Sequence, residues 1–376
     1  MPEMRSSLEE GLKGRLVRLA TALVDQAEAK TLVAPYRKAS GFWFGGGGVV
    51  QMDDGAYYLV GRYRNEGDSR TGLSAGPRGL ELCVMASASF FGAFERVLSL
   101  TKDDLSASGV RVLSIEGSAL WRVGDGWELF VSSEKEVPYP VSVRDYQKPG
   151  TGVWSIDRIA AGDLAKLDPG SMEPALVSDR PEALHVKDPV VFEHPSSGLA
   201  MIYCSHPFAW SSSNTGLAVR AAGDRAFVTV TDSMLTRGPV WDVAATRITD
   251  RLPVPALGPF GDLPPMSLYF YDGAECLRRH DQHGAAVRRP RGYSCEELGG
   301  LAWGYDGDFP TVQRLSLHAP LFVSPWGTGC SRYVSTLVTD DAVYTSWQQS
   351  QPDGSQPLVG HWLAMEVVER ILEGRE

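Results

Sequence analysis

The chain has 376 residues, with 36 basic and 46 acidic side chains and a formal net charge of −10. An acidic balance of that size speaks against nucleic acid and anionic membranes as partners, because both attract basic faces. Hydrophobic residues make up 43% of the sequence, with 40 glycines and 24 prolines, which suits a large core interrupted by many turns.

The first thirty residues are charged and amphipathic and lack the apolar stretch of a signal peptide. Leu8, Leu12, Leu16, Leu19 and Leu23 recur at helical spacing, which predicts a helix from about Ser7 to Lys30, capped at Ser6 or Ser7 with Glu9 and Glu10 behind. Its apolar stripe has to be buried, either on the chain's own body or against a second copy, so a homodimer through this helix is one expectation. No run of about 18 apolar residues follows, so no membrane span is expected. The five cysteines (Cys83, Cys204, Cys276, Cys295 and Cys330) show no C-x-x-C and read as reduced thiols rather than a disulfide framework or a zinc site. A cytoplasmic protein without metal or cofactor is the expectation.

From about Gly41 to Leu363 the pattern changes to short strand-like runs such as AYYLVGRYR, LELCVMAS, WELFVSSE, LAMIYCSH, SLYFYDG and AVYTSWQQ, separated by Gly, Asp, Asn and Pro. That rhythm means an all-β sandwich, barrel or propeller. A degenerate unit recurs at intervals of roughly seventy residues, opening at Gly46, Glu116, Asp188, Asp242 and Arg332. Each unit starts with a special or polar residue, enters an apolar strand, turns at an acidic or glycine pair and returns through an aromatic strand. Five such units predict an all-β, five-bladed β-propeller. Residues 1–35 read as an N-terminal helical extension, residues 36–376 as the propeller, and the segment WLAMEVVERILEGR as a short C-terminal helix.

In a propeller the entry of each innermost strand faces one funnel. Glu116, Asp188, Asp242 and Arg332 are therefore expected to converge. Carboxylates crowded into one pocket cannot all ionise with equal ease, and their pKa values split into an acid and a base. Glycoside hydrolysis needs that pair: one carboxyl protonates the leaving oxygen and the other activates water or attacks the sugar. The bland alternatives are a turn cap for Asp188, which precedes Pro189, and a solvated turn for Glu116.

The stretch VKDPVVFEHPSSGLAMIYCS resembles the blade motif of the five-bladed β-propeller glycoside hydrolases, the group that includes the arabinanase/β-xylosidase, invertase, anhydrogalactosidase and mannoside phosphorylase families. The hairpin DDGAYYLVGR, Asp53 to Arg62, resembles the second half of that motif in their first blade. The resemblance implies a base, a pKa modulator and a general acid in the funnel, with the first-blade aspartate near Gly46, where this chain reads FWFGGGGVV. On it rest the expected roles: Glu116 as proton donor, Asp188 and Asp242 as base or nucleophile and as modulator, in either order.

Around these, Trp43 and Trp241 are expected to present flat faces to a sugar. Arg62, Arg64 and Arg70, with Arg247 and Arg332, would form a cationic wall for an anionic sugar or for phosphate as nucleophile. The plainer reading pairs the arginines with Asp53, Asp54, Asp68 and Glu81. His206 is a rim candidate, Glu297 a reserve acid, and His280 and His283 read as surface residues. The Gly45–Gly48 run precedes a hairpin rather than a helix, which rules out a phosphate-binding loop. Three functions are thereby open: a glycoside hydrolase of a small or exo-presented carbohydrate, a glycoside phosphorylase, and a carbohydrate-binding propeller without catalysis.

Overall fold

The computed structural model describes residues 8–64, 80–194, 198–275 and 296–375. Five antiparallel sheets follow one another along the chain. The first holds β2 (Trp43–Gly45), β3 (Val49–Gln51), β4 (Tyr57–Arg64), β5 (Glu81–Ser87) and β6 (Glu95–Thr101). The second holds β7 (Val112–Val123), β8 (Gly126–Lys135), β9 (Val153–Ala161) and β10 (Glu173–Leu176), and the third β11 (His185–His194), β12 (Gly198–His206), β13 (Asn214–Arg220) and β14 (Val228–Leu235). The fourth holds β15 (Ala245–Pro253), β16 (Met266–Ala274), β17 (Leu298–Tyr305) and β18 (Gln313–Arg314). The fifth joins β19 (Ser331–Val338), β20 (Ala342–Gln349) and β21 (Leu358–Ala364) to β1 (Lys30–Val33), which comes from the other end of the chain. The protein is a five-bladed β-propeller.

The closing pair β1 and β21 runs antiparallel, with Lys30 opposite Gly360 and Thr31 opposite Val359. This strand lies within the segment expected to be an extension, so the last blade is stitched from both chain ends. The run WLA, expected to open the C-terminal helix, is instead the end of β21; helix α2 spans Met365–Glu373. Helix α1 spans Glu10–Leu23, with Glu9 at its cap position and no side-chain capping bond; Ser6 and Ser7 lie outside the described residues.

Blades pack face to face, so their middle strands are covered on both sides and read as apolar runs rather than as strict alternation. β16 is the clearest case: every residue from Met266 to Ala274 is buried. The stripe of α1 is satisfied within the same chain. Leu16, Leu19 and Leu23 are 0–1% exposed and join Leu252, Phe270, Trp303, Trp347 and the Val368 and Leu372 of α2 in one core. Truncating any of the three leucines to alanine should cost about 2–5 kcal/mol. Among the described residues no helix is long and apolar enough to cross a membrane. Cys83, Cys204 and Cys330 are buried free thiols; Cys276 and Cys295 lie outside the described residues.

Candidate active site

The innermost strands of blades two, three and five break register at the same level. β7 bulges at Glu116-Gly117 between Ile115 and Ser118. β11 bulges at Asp188-Pro189 between Lys187 and Val190, and β19 at Tyr333-Val334 between Arg332 and Ser335. A bulge leaves a residue unpaired, bends the strand and re-aims a side chain. Pro189 is tolerated because that position owes the ladder no N–H. In blade one the segment Gly46–Gly48 takes this place between β2 and β3, and in blade four the shift falls at Thr249, between Ile248 and Asp250.

Backbone conformation marks these positions. Asp188 and Tyr333 both have φ of 55°, and Gly46 has 79°. Left-handed backbone suits glycine, is tolerated by aspartate and is an outlier for a bulky aromatic. Holding Asp188 and Tyr333 there costs on the order of 1–3 kcal/mol each, a strain that folds retain where geometry matters.

The side chains at these bulges meet in a buried ionic layer across the axis. Asp188 accepts from the Gly117 N–H at 2.8 Å, from the Tyr333 hydroxyl at 3.3 Å and from Arg247 Nη1 at 3.1 Å, with Lys187 Nζ at 3.3 Å. Gly117 has to be glycine here, since a Cβ would stand 2.5 Å from the Asp188 carboxylate. Glu116 pairs with Arg62, with Arg64 Nη1 at 3.2 Å and with Lys187 Nζ at 4.0 Å. Arg62 also donates to the Gly45 carbonyl at 3.0 Å and to the Tyr333 hydroxyl at 3.2 Å. Arg247 bridges Asp188, Asp272 (2.6 Å) and Glu297 (3.0 Å), and its guanidinium lies 3.9 Å from the Tyr333 ring centre. Arg332 pairs with Glu297.

These surroundings split the carboxyls. Burial pushes against ionisation at all of them. At Glu116 the guanidiniums of Arg62 and Arg64 and the Lys187 ammonium outweigh it and hold the carboxyl well below its usual range. At Asp188 Lys187 and Arg247 likewise prevail and lower it, and at Glu297 Arg247 and Arg332 do the same. Asp272 behaves oppositely. It is 2% exposed, it shares Arg247 with the Glu297 carboxylate, and burial pushes it up to about 6 despite the Arg247 and Tyr333 N–H bonds. Tyr333 stays protonated, pushed up to about 12 by burial.

On the side of the bulges towards the C-terminal ends of the inner strands, the axis opens into a cavity of about 190 Å³. Asp188, Arg247 and Tyr333 form part of its wall, with Asp250, Ser335 and Thr336 further along. At the N-terminal ends sit Trp43, Lys187, Arg332 and Glu297. Trp43 carries Arg64 at 5.2 Å and Arg332 at 4.6 Å from its ring centre. Lys187 lies 5.6 Å from the Trp154 ring and 5.5 Å from the Trp210 ring.

Several expectations change. Asp242 does not reach the axis. It precedes β15 by three residues, is fully buried, and bonds Arg314 Nε at 2.9 Å and the Tyr271 hydroxyl at 3.2 Å. Trp241 belongs to the same side cluster, donating Nε1–H to the Ser316 carbonyl at 2.8 Å and stacking on Tyr271. The expected register of the fourth unit fails because Trp-Asp before an apolar stretch imitates a strand entry. In the fifth unit Tyr333, rather than Arg332, holds the bulge position. Glu116, expected to donate a proton, reaches the axis, with its carboxyl lowered by Arg62, Arg64 and Lys187.

His206 is buried behind Lys187, stacked on Trp210 at 4.0 Å, and burial with Lys187 beside it lowers its pKa well below the usual value. Its Nδ1 lies 2.9 Å from the Ser212 carbonyl. Of the plainer partners proposed for the arginines, Glu81 pairs with Arg96 and Asp53 with Arg122. Asp68, Arg70, His280 and His283 lie outside the described residues. Asp272, Lys187 and Tyr333 escaped sequence reasoning. The signal for Asp272 was present: a lone carboxylate at the end of the aromatic run SLYFYD.

No family model matches the chain, and no curated protein matches it. Solved structures do. A glycoside hydrolase superposes with a TM-score of 0.60 at 11% identity, covering 95% of this chain and 96% of that one. The fold is that of the five-bladed propeller glycoside hydrolases. An α-L-arabinofuranosidase from Lactobacillus brevis gives 0.54 at 12% identity over 89% of this chain and 93% of the other. A β-1,2-mannobiose phosphorylase from Listeria innocua gives 0.52 at 13% over 92% and 97%. At such identities the likeness concerns the path of the backbone.

Within that fold the first-blade position has a specific occupant. A Cβ on Gly46 would stand 1.9 Å from Arg62 Nη1. The space where the resemblance puts an aspartate is filled by a guanidinium.

Proposed function

We propose that this propeller is a glycoside hydrolase acting on a small or exo-presented carbohydrate. The observation that carries the reading is the meeting of these carboxyls at the axis in unequal surroundings, burial pushing Asp272 up to about 6 while Lys187, Arg247, Arg62 and Arg64 lower Asp188 and Glu116. Asp272 is assigned as the acid that protonates the leaving oxygen. Asp188, on the cavity wall beside Arg247 and Tyr333, is assigned as the base or nucleophile. Glu116 holds Arg62 and Arg64 in place and supplies negative potential for an oxocarbenium-like transition state. The activities named for structures with this fold, glycoside hydrolases among them, support the glycosidase reading.

The test is release of reducing sugar or of an aryl leaving group across a panel of glycosides. Wild type should turn over at least one, and Asp188→Asn should lower that rate by about 10²–10⁴. Sugar binding without turnover across the whole panel would leave a carbohydrate-binding propeller.

A second reading is favoured by Arg62. A phosphorylase takes phosphate as its nucleophile and needs no first-blade base, and a guanidinium binds phosphate well. Products that form only when phosphate is added would select it.

A further inference from the structure

One carboxyl in the wall of the axial cavity has no ion-pair partner among the described residues. The ionisable groups of that wall are Asp188, Asp250, Arg247 and Tyr333. Asp188 pairs with Lys187 and Arg247. Asp250 is held only by hydrogen bonds, from the N–H and hydroxyl of Thr336 and from the Arg251 N–H. The Arg251 guanidinium turns instead to Asp306, at 3.0 Å. Arg247 already meets the carboxyls of Asp188, Asp272 and Glu297, so the wall as a whole is acidic. Burial pushes Asp250 up to about 6, as befits a carboxyl taken from water without a cation beside it.

The cavity sets the size of a ligand and the rest of its chemistry. Its volume of about 190 Å³ holds roughly six waters at the ~30 Å³ each takes in the liquid, room for one sugar ring and not for a chain. The wall carries the half-buried apolar residues Val50, Trp121, Val190 and Val191 together with the half-buried Thr249 and Ser335. That mixture suits a compact ring with C–H faces and a few polar groups. An ammonium on such a ring brings Asp250 a counter-charge and three hydrogen-bond donors. A buried carboxylate without a partner is the costly state of an ion pair, so the cavity favours a ligand that supplies the missing cation.

We infer that the axial cavity takes an amino sugar, with its ammonium received by Asp250. The reaction rests on the glycosidase reading; the binding preference does not. Calorimetry at pH 7 and constant ionic strength, with D-glucosamine and D-galactosamine against D-glucose and D-galactose, tests it. N-acetyl-D-glucosamine, which keeps the nitrogen and loses the charge, and calcium chloride serve as separate arms. The amines should bind at least about tenfold more tightly than their neutral parents and than the N-acetyl sugar. Asp250→Asn keeps an acceptor for Thr336 and should remove most of that difference. If that variant melts early, the wild-type comparison of amine with N-acetyl sugar still decides. Equal binding of amine and neutral sugars, no binding of either, or a preference that survives in folded Asp250→Asn overturns the inference. Calcium binding that Asp250→Asn abolishes, without amine binding, overturns it too and gives the cavity to a metal ion. Amine binding without cleavage of any aryl glycoside of an amino sugar upholds the inference and removes the hydrolase assignment.

Discussion

Asp188 and Asp242 look alike in sequence: each is a buried aspartate beside a rigid or aromatic neighbour at the start of a unit. Their settings differ completely. Asp188 sits in a bulge on an innermost strand, in left-handed backbone, among Lys187, Arg247 and the Tyr333 hydroxyl, with a cavity at its side. Asp242 sits before its strand, closed in by Arg314, Tyr271 and Trp241. A carboxylate in this fold acquires a role by reaching the axis that the five blades share, and not from burial or neighbours alone.

Substitutions sharpen that contrast. Asp188→Asn should give the largest effect, a rate loss of about 10²–10⁴ together with a stability loss of about 3–5 kcal/mol, because Lys187 and Arg247 lose a buried partner. Urea titration beside turnover measures both. Next comes Gly46→Ala. A Cβ there would stand 1.9 Å from Arg62 Nη1, on backbone of φ 79°, so the variant should lose about 3 kcal/mol. Wild-type stability in that variant would contradict the claim that Arg62 fills the first-blade space. Asp242→Asn should cost about 1–3 kcal/mol through the Arg314 and Tyr271 bonds while leaving turnover within about threefold. A collapse of activity at wild-type stability would return Asp242 to the site.

The smallest effect is a slope. Asp272 binds its proton more tightly folded than unfolded, since burial raises it from 3.8 to about 6. Its contribution is therefore fully present below about pH 4 and is lost as the pH rises through about 6. Asp250, also raised to about 6 by burial, works in the same direction. Glu116 and Asp188 are lowered, so their contributions are present above about pH 4 and are lost on acidification below it. Asp272→Asn should flatten the decline of stability between pH 4 and pH 7. An unchanged slope would show that Asp272 is not the raised group.

Much of this was legible in the sequence. The strand rhythm, the two terminal helices and three of the five bulge positions (Gly46, Glu116 and Asp188) could be read because hairpin turns and apolar runs repeat locally. Blade four could not, since Thr249 has no chemical mark and Trp241-Asp242 imitates one. Tyr333 was hidden by the arginine beside it. Asp272 lies on the second strand of its blade, so its arrival at the axis depends on how β16 pairs with β15 and on Arg247 reaching across, which one strand's sequence does not carry. The protonation states were illegible for the same reason: they follow from which cations converge, and those come from blades one, three, four and five.

The central claim is that Asp272 donates the proton in glycoside cleavage, and a leaving-group comparison tests it directly. Rates of wild type and Asp272→Asn would be measured on the same sugar carrying either an acidic phenol, which needs no protonation to depart, or an alkyl alcohol, which does. The expected result is a loss of about 10²–10⁴ on the alkyl glycoside with much of the aryl rate retained. Equal losses on both substrates, or no loss on either, would contradict the assignment.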